Sequence, residues 1–273
     1  MGELYLYFPE ILETDLQAIN LSRNFLLQTL RKLDYDINKF TEKIIEFIKT
    51  RITVNNEVAL KLMEILVRRF SQDVFCIEWS NLKYFLENFR KFVNDKIYLI
   101  ARLAVDDPDN KTIENFLKKS WKDTKMLRII DQSEILRAEI VYCMKKILKS
   151  LRDIFDNAKI KLNKDRLLLV LYLLKIDPRN LVMYVREMQG IPVIVDEKNR
   201  LAITSLENAR KIMQKFRIQR KIAPKKRELL GIISMYPKLS LLLNSNEAYL
   251  TSEKVLFIFN HKYNLALITT IEQ

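Results

Sequence analysis

The sequence predicts an α+β fold: a helical N-terminal two thirds followed by a mixed region with two β-hairpins. Up to about residue 160, apolar residues recur at the three- and four-residue spacing of helices, and beyond residue 163 short apolar runs alternate with turn residues. A chain of 273 residues with 49% hydrophobic residues can bury a core without a disulfide or a metal. We expect a helical domain at 1–162 and a mixed α+β domain at 163–273, or one core shared by both.

The helical part opens with a possible short strand, ELYLYF at 3–8, after which Pro9 suits the first position of a helix. Helices are predicted at 9–32, 38–51, 56–70, 79–104 and 112–122. The segment DDPDN at 106–110 separates the last two, because Pro108 and four hydrogen-bond acceptors favour a turn. It lacks the residue order of a calcium loop, which indicates a solvated turn.

A long helix is predicted at 133–158, with apolar residues in a strict 4-3-4-3-4 spacing. These residues, called the seam below, are Ile140, Met144, Ile147, Leu151, Ile154 and Ala158. The seam favours a core helix of a bundle or a docking face for another subunit.

The mixed region begins with the helix RLLLVLYLLKI at 166–176 and a second helix, NLVMYVREMQ, that ends at Gly190. A hairpin then pairs 191–195 with 200–204. Thr204 and Glu207 are spaced as a capping box, which predicts a helix from Ser205 through a basic stretch to Pro224. A final hairpin pairs VLFIF at 255–259 with LALITTI at 265–271, and its five consecutive apolar residues predict burial on both faces, within the chain or by a neighbouring subunit.

The order helix, turn, helix, hairpin, helix resembles a winged-helix DNA-binding module, whose second helix enters the major groove. Here that helix carries only Arg186, Glu187 and Gln189 as polar residues, and the wing DEKN has two acids and one lysine. Both features weaken base reading.

Glycine scarcity excludes several enzyme classes, because only three glycines occur and glycine-rich phosphate loops and nucleophile elbows need them clustered. Cys76 and Cys143 lie outside any CxxC spacing and are expected to be buried thiols. The only histidine, His261, is expected to be a solvated turn residue. We therefore expect no enzyme, no cofactor and no metal site.

The longest apolar run, at 167–174, is too short to span a bilayer, and no charged leader precedes an apolar stretch at the start. The expectation is a soluble protein without an export signal. Few glycines with many Ile, Leu, Lys and Arg residues are typical of hyperthermophile proteins, and the Asn, Tyr and Phe content indicates A+T-rich codons.

The formal net charge is +13, and more than half of the excess lies in residues 201–250. Nine basic residues without an acidic one occupy 210–227: Arg210, Lys211, Lys215, Arg217, Arg220, Lys221, Lys225, Lys226 and Arg227. On the predicted helix, Arg210, Arg217 and Lys221 form one exposed row, while Lys211 and Lys215 form another. Such rows suit an acidic protein partner, a nucleic-acid backbone or solvent counterions, but aromatic residues for base stacking are missing.

From MGELYLYFPEILETDL to FNHKYNLALITTIEQ, the whole chain resembles virion structural proteins of bicaudaviruses, the family of the Acidianus two-tailed virus. The resemblance rests on length and overall character, so it assigns no functional residue. It implies a structural component of an archaeal virus particle, present in the virion and in the host cytoplasm during assembly.

The expected function is that of a non-enzymatic interaction protein that assembles with itself and with other virion proteins. Its expected assembly surfaces are the seam and the apolar hairpin at 255–271. The alternative is a DNA-binding protein, either winged-helix-like or non-specific, that uses the basic stretch.

Overall fold

The computed structural model describes residues 22–198, 200–222, 236–243 and 247–270, and it confirms the α+β class, with helices first. By contacts the chain divides into unit 1, Met1–Lys96 with Asp109–Lys145, and unit 2, Ile97–Pro108 with Lys146–Gln273. That residues 1–162 form a domain of their own stays a prediction.

The helices follow the predicted order, with differences at several ends. They are α1 (Arg23–Lys32), α2 (Ile37–Arg51), α3 (Asn56–Phe75), α4 (Trp79–Asp95), α5 (Ile97–Val105), α6 (Asn110–Ser120), α7 (Thr124–Gln132), α8 (Glu134–Asn157), α9 (Lys164–Leu173), α10 (Leu206–Met213) and α11 (Ser240–Leu243). The predicted helix at 79–104 is two helices, interrupted at Lys96, and α7 was not predicted. The strand predicted at 3–8 and the helix residues 9–21 lie outside the described residues.

Side-chain caps explain where many helices begin. The oxygens of Ser22, Asp36, Asn55, Asp109 and Asp123 each accept a backbone N–H from the first turn of the helix that follows. Each cap satisfies a donor that the helix itself leaves without a partner.

The core of unit 1 contains an aromatic cluster and a buried carboxylate that pairs with a partly exposed arginine. The ring of Trp121 lies 4.5 Å from that of Phe92 and 5.8 Å from those of Phe85 and Phe89. Elsewhere in the unit, Glu139 on α8 is only 6% exposed and accepts hydrogen bonds from Arg31 and Tyr35. A buried carboxylate with these two donors fixes the register of α8 against the chain at the end of α1.

The seam is part of the core, as the first of its two interpretations predicted. Ile140, Met144, Leu151 and Ala158 are each at most 4% exposed, while Ile147 and Ile154 are half-buried. The seam therefore offers little apolar surface to another subunit, and the expectation of an assembly surface there is wrong.

The two cysteines differ from the expectation of two buried thiols. Cys143 is buried, but Cys76 is exposed and ends α3 in a left-handed conformation, with φ 55°. The apolar neighbours Phe75 and Ile77 are buried instead, so the turn at Cys76 lets both enter the core.

Unit 2 contains a seven-stranded antiparallel sheet in the order β1-β2-β3-β7-β6-β5-β4. Its strands are β1 (Val185–Met188), β2 (Ile191–Asp196), β3 (Leu201–Ser205), β4 (Ile218–Ile222), β5 (Glu247–Thr251), β6 (Val255–Asn260) and β7 (Leu265–Thr270). The two predicted hairpins, β2–β3 and β6–β7, are present, whereas β1, β4 and β5 were not predicted.

The second helix of the supposed winged-helix module is absent, which corrects that interpretation. Residues Pro178–Tyr184 form a 3-10 helix, and Val185–Met188 then pair with β2 as an edge strand. Arg186 is exposed, but it lies on this edge strand and its Nε donates to Glu197 Oε1 at 2.6 Å.

The last hairpin is buried on both faces, as its apolar run predicts. Leu256–Phe259 and Leu265–Ile268 are at most 2% exposed. Helix α10 covers one face through Leu206, Ala209 and Ile212, and α11 packs against β6 and β7. Because the chain itself buries the hairpin, the expected assembly surface at 255–271 is also wrong.

Candidate functional site

The basic stretch is divided between a helix and a strand, and not carried on one helix as predicted. Helix α10 begins after Ser205, whose hydroxyl accepts the Asn208 N–H at 3.2 Å, and it ends at Met213. The chain then turns, and Phe216 packs its ring 5.7 Å from Phe257 in the sheet core. Arg217 follows this turn, and β4 begins directly after it.

This division removes the two predicted rows of cations. Arg210 and Lys211 lie in the last turn of α10, where positive charge interacts favourably with the helix dipole. Arg220 and Lys221 lie on β4, where successive side chains point to opposite faces of the sheet. Lys225, Lys226 and Arg227 lie outside the described residues.

Two of the predicted residues are occupied by partners within the chain. Lys211 pairs with Glu207 at 2.5 Å, one helical turn away, and this hydrogen bond lowers the pKa of Glu207. The Nζ of Lys215 donates to the carbonyl oxygen of Gln189 at 2.8 Å, in the turn between β1 and β2. Both lysines therefore make contacts within the chain: Lys211 with a residue of α10, and Lys215 with the turn between β1 and β2.

Lys221 and α10, which carries Arg210, both lie on the face of the sheet where Tyr249 of β5 packs. Lys221 lies opposite Tyr249 in the strand register, with its Nζ 5.8 Å from the ring centroid. The Tyr249 hydroxyl donates to Glu247 Oε1 at 2.5 Å, which raises the pKa of Tyr249, while the charge of Arg210 opposes that rise. The two cations thus reach the same side of the sheet from different elements.

Arg217 and Arg220 border the edge of the sheet. Both are exposed, and a β-bulge shifts the pairing between Ile218 and Arg220. Arg220 lies opposite Leu250, so its side chain leaves the face that Lys221 occupies. We define the basic surface as Arg210, Arg217, Arg220 and Lys221; none of these makes an ion pair within 4 Å among the described residues.

His261 is exposed in the β6–β7 turn, as predicted, but it contacts an acid. Its Nε2 lies 2.8 Å from Glu247 Oε2, and the hydrogen bonds from Tyr249 and His261 together lower the pKa of Glu247. The pairing arises because Glu247 lies beside Phe259 in the sheet, close to the turn. Sequence reasoning missed it, since β5 carries only five residues and has no turn signal of its own.

An open depression of about 490 Å³ lies between α10 and this turn. Its walls are formed by Leu206, Glu207, Arg210, Lys211, Gln214, His261 and Asn264. Only Arg210 and Lys211 of these were predicted as contact residues, because the others depend on the turn being brought against the helix.

The described part of the chain contains neither a metal-binding cluster nor a helix that could span a membrane. It contains no cluster of three or more His, Cys, Asp or Glu side chains that could hold a metal ion. None of its helices has the length and apolar character that crossing a bilayer requires.

No family model, curated protein or solved structure matches the chain.

Proposed function

We propose that the protein is a non-enzymatic structural and interaction protein, and that its basic surface binds an acidic region of another protein. The observation that carries this proposal is the set of four exposed cations, from α10, the turn after it and β4, that lack ion pairs among the described residues. Like charges held close together repel one another, and an anionic partner would offset that repulsion.

The arrangement suits a protein surface better than duplex DNA. Arg220 and Lys221 project from opposite faces of an edge strand, so the cations surround an edge and do not form one row along a groove. An irregular acidic protein surface can meet cations on both sides of an edge.

The resemblance to bicaudaviral virion proteins supports a more specific form of the proposal. In this form the protein is a thermostable component of an archaeal virus particle, made in the host cytoplasm, that assembles with itself and with other virion proteins. Mass spectrometry of purified particles tests it directly. The protein should be present in stoichiometric amounts, and its absence from intact particles would refute the virion role.

The basic surface is tested with two labelled probes, a polyglutamate peptide and a DNA duplex, by fluorescence anisotropy over a range of salt. The test variant is Arg210→Gln/Arg217→Gln/Lys221→Gln. Its charge-matched control is Arg68→Gln/Arg128→Gln/Lys91→Gln, which removes three exposed cations of unit 1. We expect polyglutamate to bind the wild type and the control, and to bind the test variant about tenfold more weakly or worse.

Two other outcomes would contradict the proposal. Tighter, salt-dependent binding of the duplex that the test variant loses would favour the DNA-binding alternative. Equal loss in the test variant and its control would mean that binding follows net charge alone, without a defined surface.

A further inference from the structure

The depression beside α10 has the form of a small-ligand site. One wall is a single stripe of α10, because Leu206, Arg210 and Gln214 are spaced four residues apart, with Glu207 and Lys211 beside them. The other wall is the β6–β7 turn. The depression is open to solvent and has a volume of about 490 Å³.

The turn is held in place by buried hydrogen bonds and needs no ligand to order it. Asn260, 5% exposed, donates through Nδ2 to the carbonyl oxygens of Leu241 and Leu242 at 3.1 and 3.2 Å. Its Oδ1 accepts the Tyr263 N–H at 3.1 Å. The Asn264 N–H donates to the His261 carbonyl oxygen, which closes the turn. His261 and Asn264 are therefore held in position before any ligand binds.

The walls supply more donors than acceptors. Arg210, Gln214 and Asn264 carry side-chain N–H groups, while Glu207 in the wall is paired with Lys211 and the Nε2 of His261 lies 2.8 Å from Glu247 Oε2. Arg210 makes no ion pair with a described residue, and its guanidinium can offer two parallel N–H groups to an oxyanion.

We propose that this depression binds a small phosphate-bearing ligand, with Arg210 as the principal anion contact and Gln214 and Asn264 as further donors. A terminal phosphate has three oxygens and can accept from donors on both walls, while a carboxylate has two in one plane. None of the described wall residues is Phe, Tyr or Trp, so we assign recognition to the phosphate and not to a base. The inference does not rest on the proposed function, because only Arg210 is shared with the basic surface.

The test uses the whole chain with inorganic pyrophosphate as probe and citrate as a carboxylate comparison. Binding is measured by isothermal titration calorimetry, and its position by chemical-shift changes of backbone amides. We expect saturable pyrophosphate binding with shifts concentrated at 206–214 and 260–264. Arg210→Gln should weaken it about tenfold or more.

The control is Arg217→Gln/Arg220→Gln, which removes two cations of the basic surface outside the depression. It should leave pyrophosphate binding within about twofold of the wild type. A loss in this control equal to that in Arg210→Gln would overturn the site, and so would shifts spread over all basic residues. Citrate that binds as tightly as pyrophosphate would overturn the assignment to phosphate. If the wild-type protein binds polyglutamate but not pyrophosphate, this inference is refuted and the proposed function is not.

Discussion

At the scale of single residues, Glu139 is the most deeply buried charged residue among the described residues of unit 1. Burial raises the pKa of its carboxyl, but the hydrogen bonds from Arg31 and Tyr35 and the charge of Arg31 outweigh burial and lower it overall. Arg31 Nε lies 2.9 Å from Glu139 Oε2, and the Tyr35 hydroxyl lies 2.7 Å from the same oxygen. Burial in turn raises the pKa of Tyr35, which keeps it a donor.

Glu139→Gln should destabilise the protein, because an amide cannot accept both donors as strongly as a carboxylate. We expect a loss of about 1.5 kcal/mol in the free energy of unfolding, a figure reduced because the Arg31 side chain is 38% exposed. Chemical denaturation at neutral pH measures it. Glu87→Gln, an exposed carboxylate without an ion pair in the described residues, should change stability by less than about 0.5 kcal/mol.

The stabilisation from Glu139 should also depend on pH. Because its pKa is lowered by folding, the contribution is fully present above the ordinary value of 4.5 and is lost as pH falls through the folded-state pKa. The stability difference between wild type and Glu139→Gln should therefore stay constant above that value and shrink below it. Denaturation curves of both proteins across the acid range test this, and a difference that grows with acidity would contradict it.

At the scale of elements, sequence patterns predicted those helices whose apolar residues repeat with a helical period and whose caps lie at their starts. The strand β4 was missed because Ile218 and its basic neighbours continue the polar and apolar pattern of α10. Only pairing with β5, across sequence that carries no hairpin signal, makes IQRKI a strand. The prediction of the candidate site was wrong for the same reason, because the basic residues assigned to one helix are divided between α10 and β4.

The basic residues of β4 should also protect an edge of the sheet. Charged side chains and bulges on an edge strand discourage pairing with other chains, and β4 has both. Arg220→Thr/Lys221→Thr should therefore increase aggregation at high protein concentration, measured by static light scattering over time. Lys198→Thr/Lys262→Thr removes the same charge from hairpin turns, and equal aggregation of this control would show that net charge, and not the edge, is responsible.

At the scale of the whole molecule, both surfaces expected to mediate assembly are buried inside the chain, and other apolar residues remain exposed. The most exposed of them among the described residues are Val182 and Met183, adjacent on the 3-10 helix before β1 and 56% and 69% exposed. Sequence alone could not separate them from the core, because apolar residues at a helical spacing do not reveal which neighbours cover them.

The proposed self-assembly gives a direct expectation for the molecular mass in solution. Multi-angle light scattering should give a mass above the 32.6 kDa of one chain. Val182→Ser/Met183→Ser should lower that mass if these residues lie in the contact between copies. A wild-type protein that remains at the mass of one chain over a wide concentration range would refute self-assembly.

The strand order of unit 2 also constrains how this unit folds. β7 comes after the other six strands in sequence, yet it lies in the middle of the sheet, between β3 and β6. Without Leu265–Thr270, the strands β1-β2-β3 and β6-β5-β4 have no pairing between them, and the inner edges of β3 and β6 lack their partner strand. The joining of the sheet is thus a late, long-range step, and during synthesis these two inner edges are the surfaces most open to mispairing.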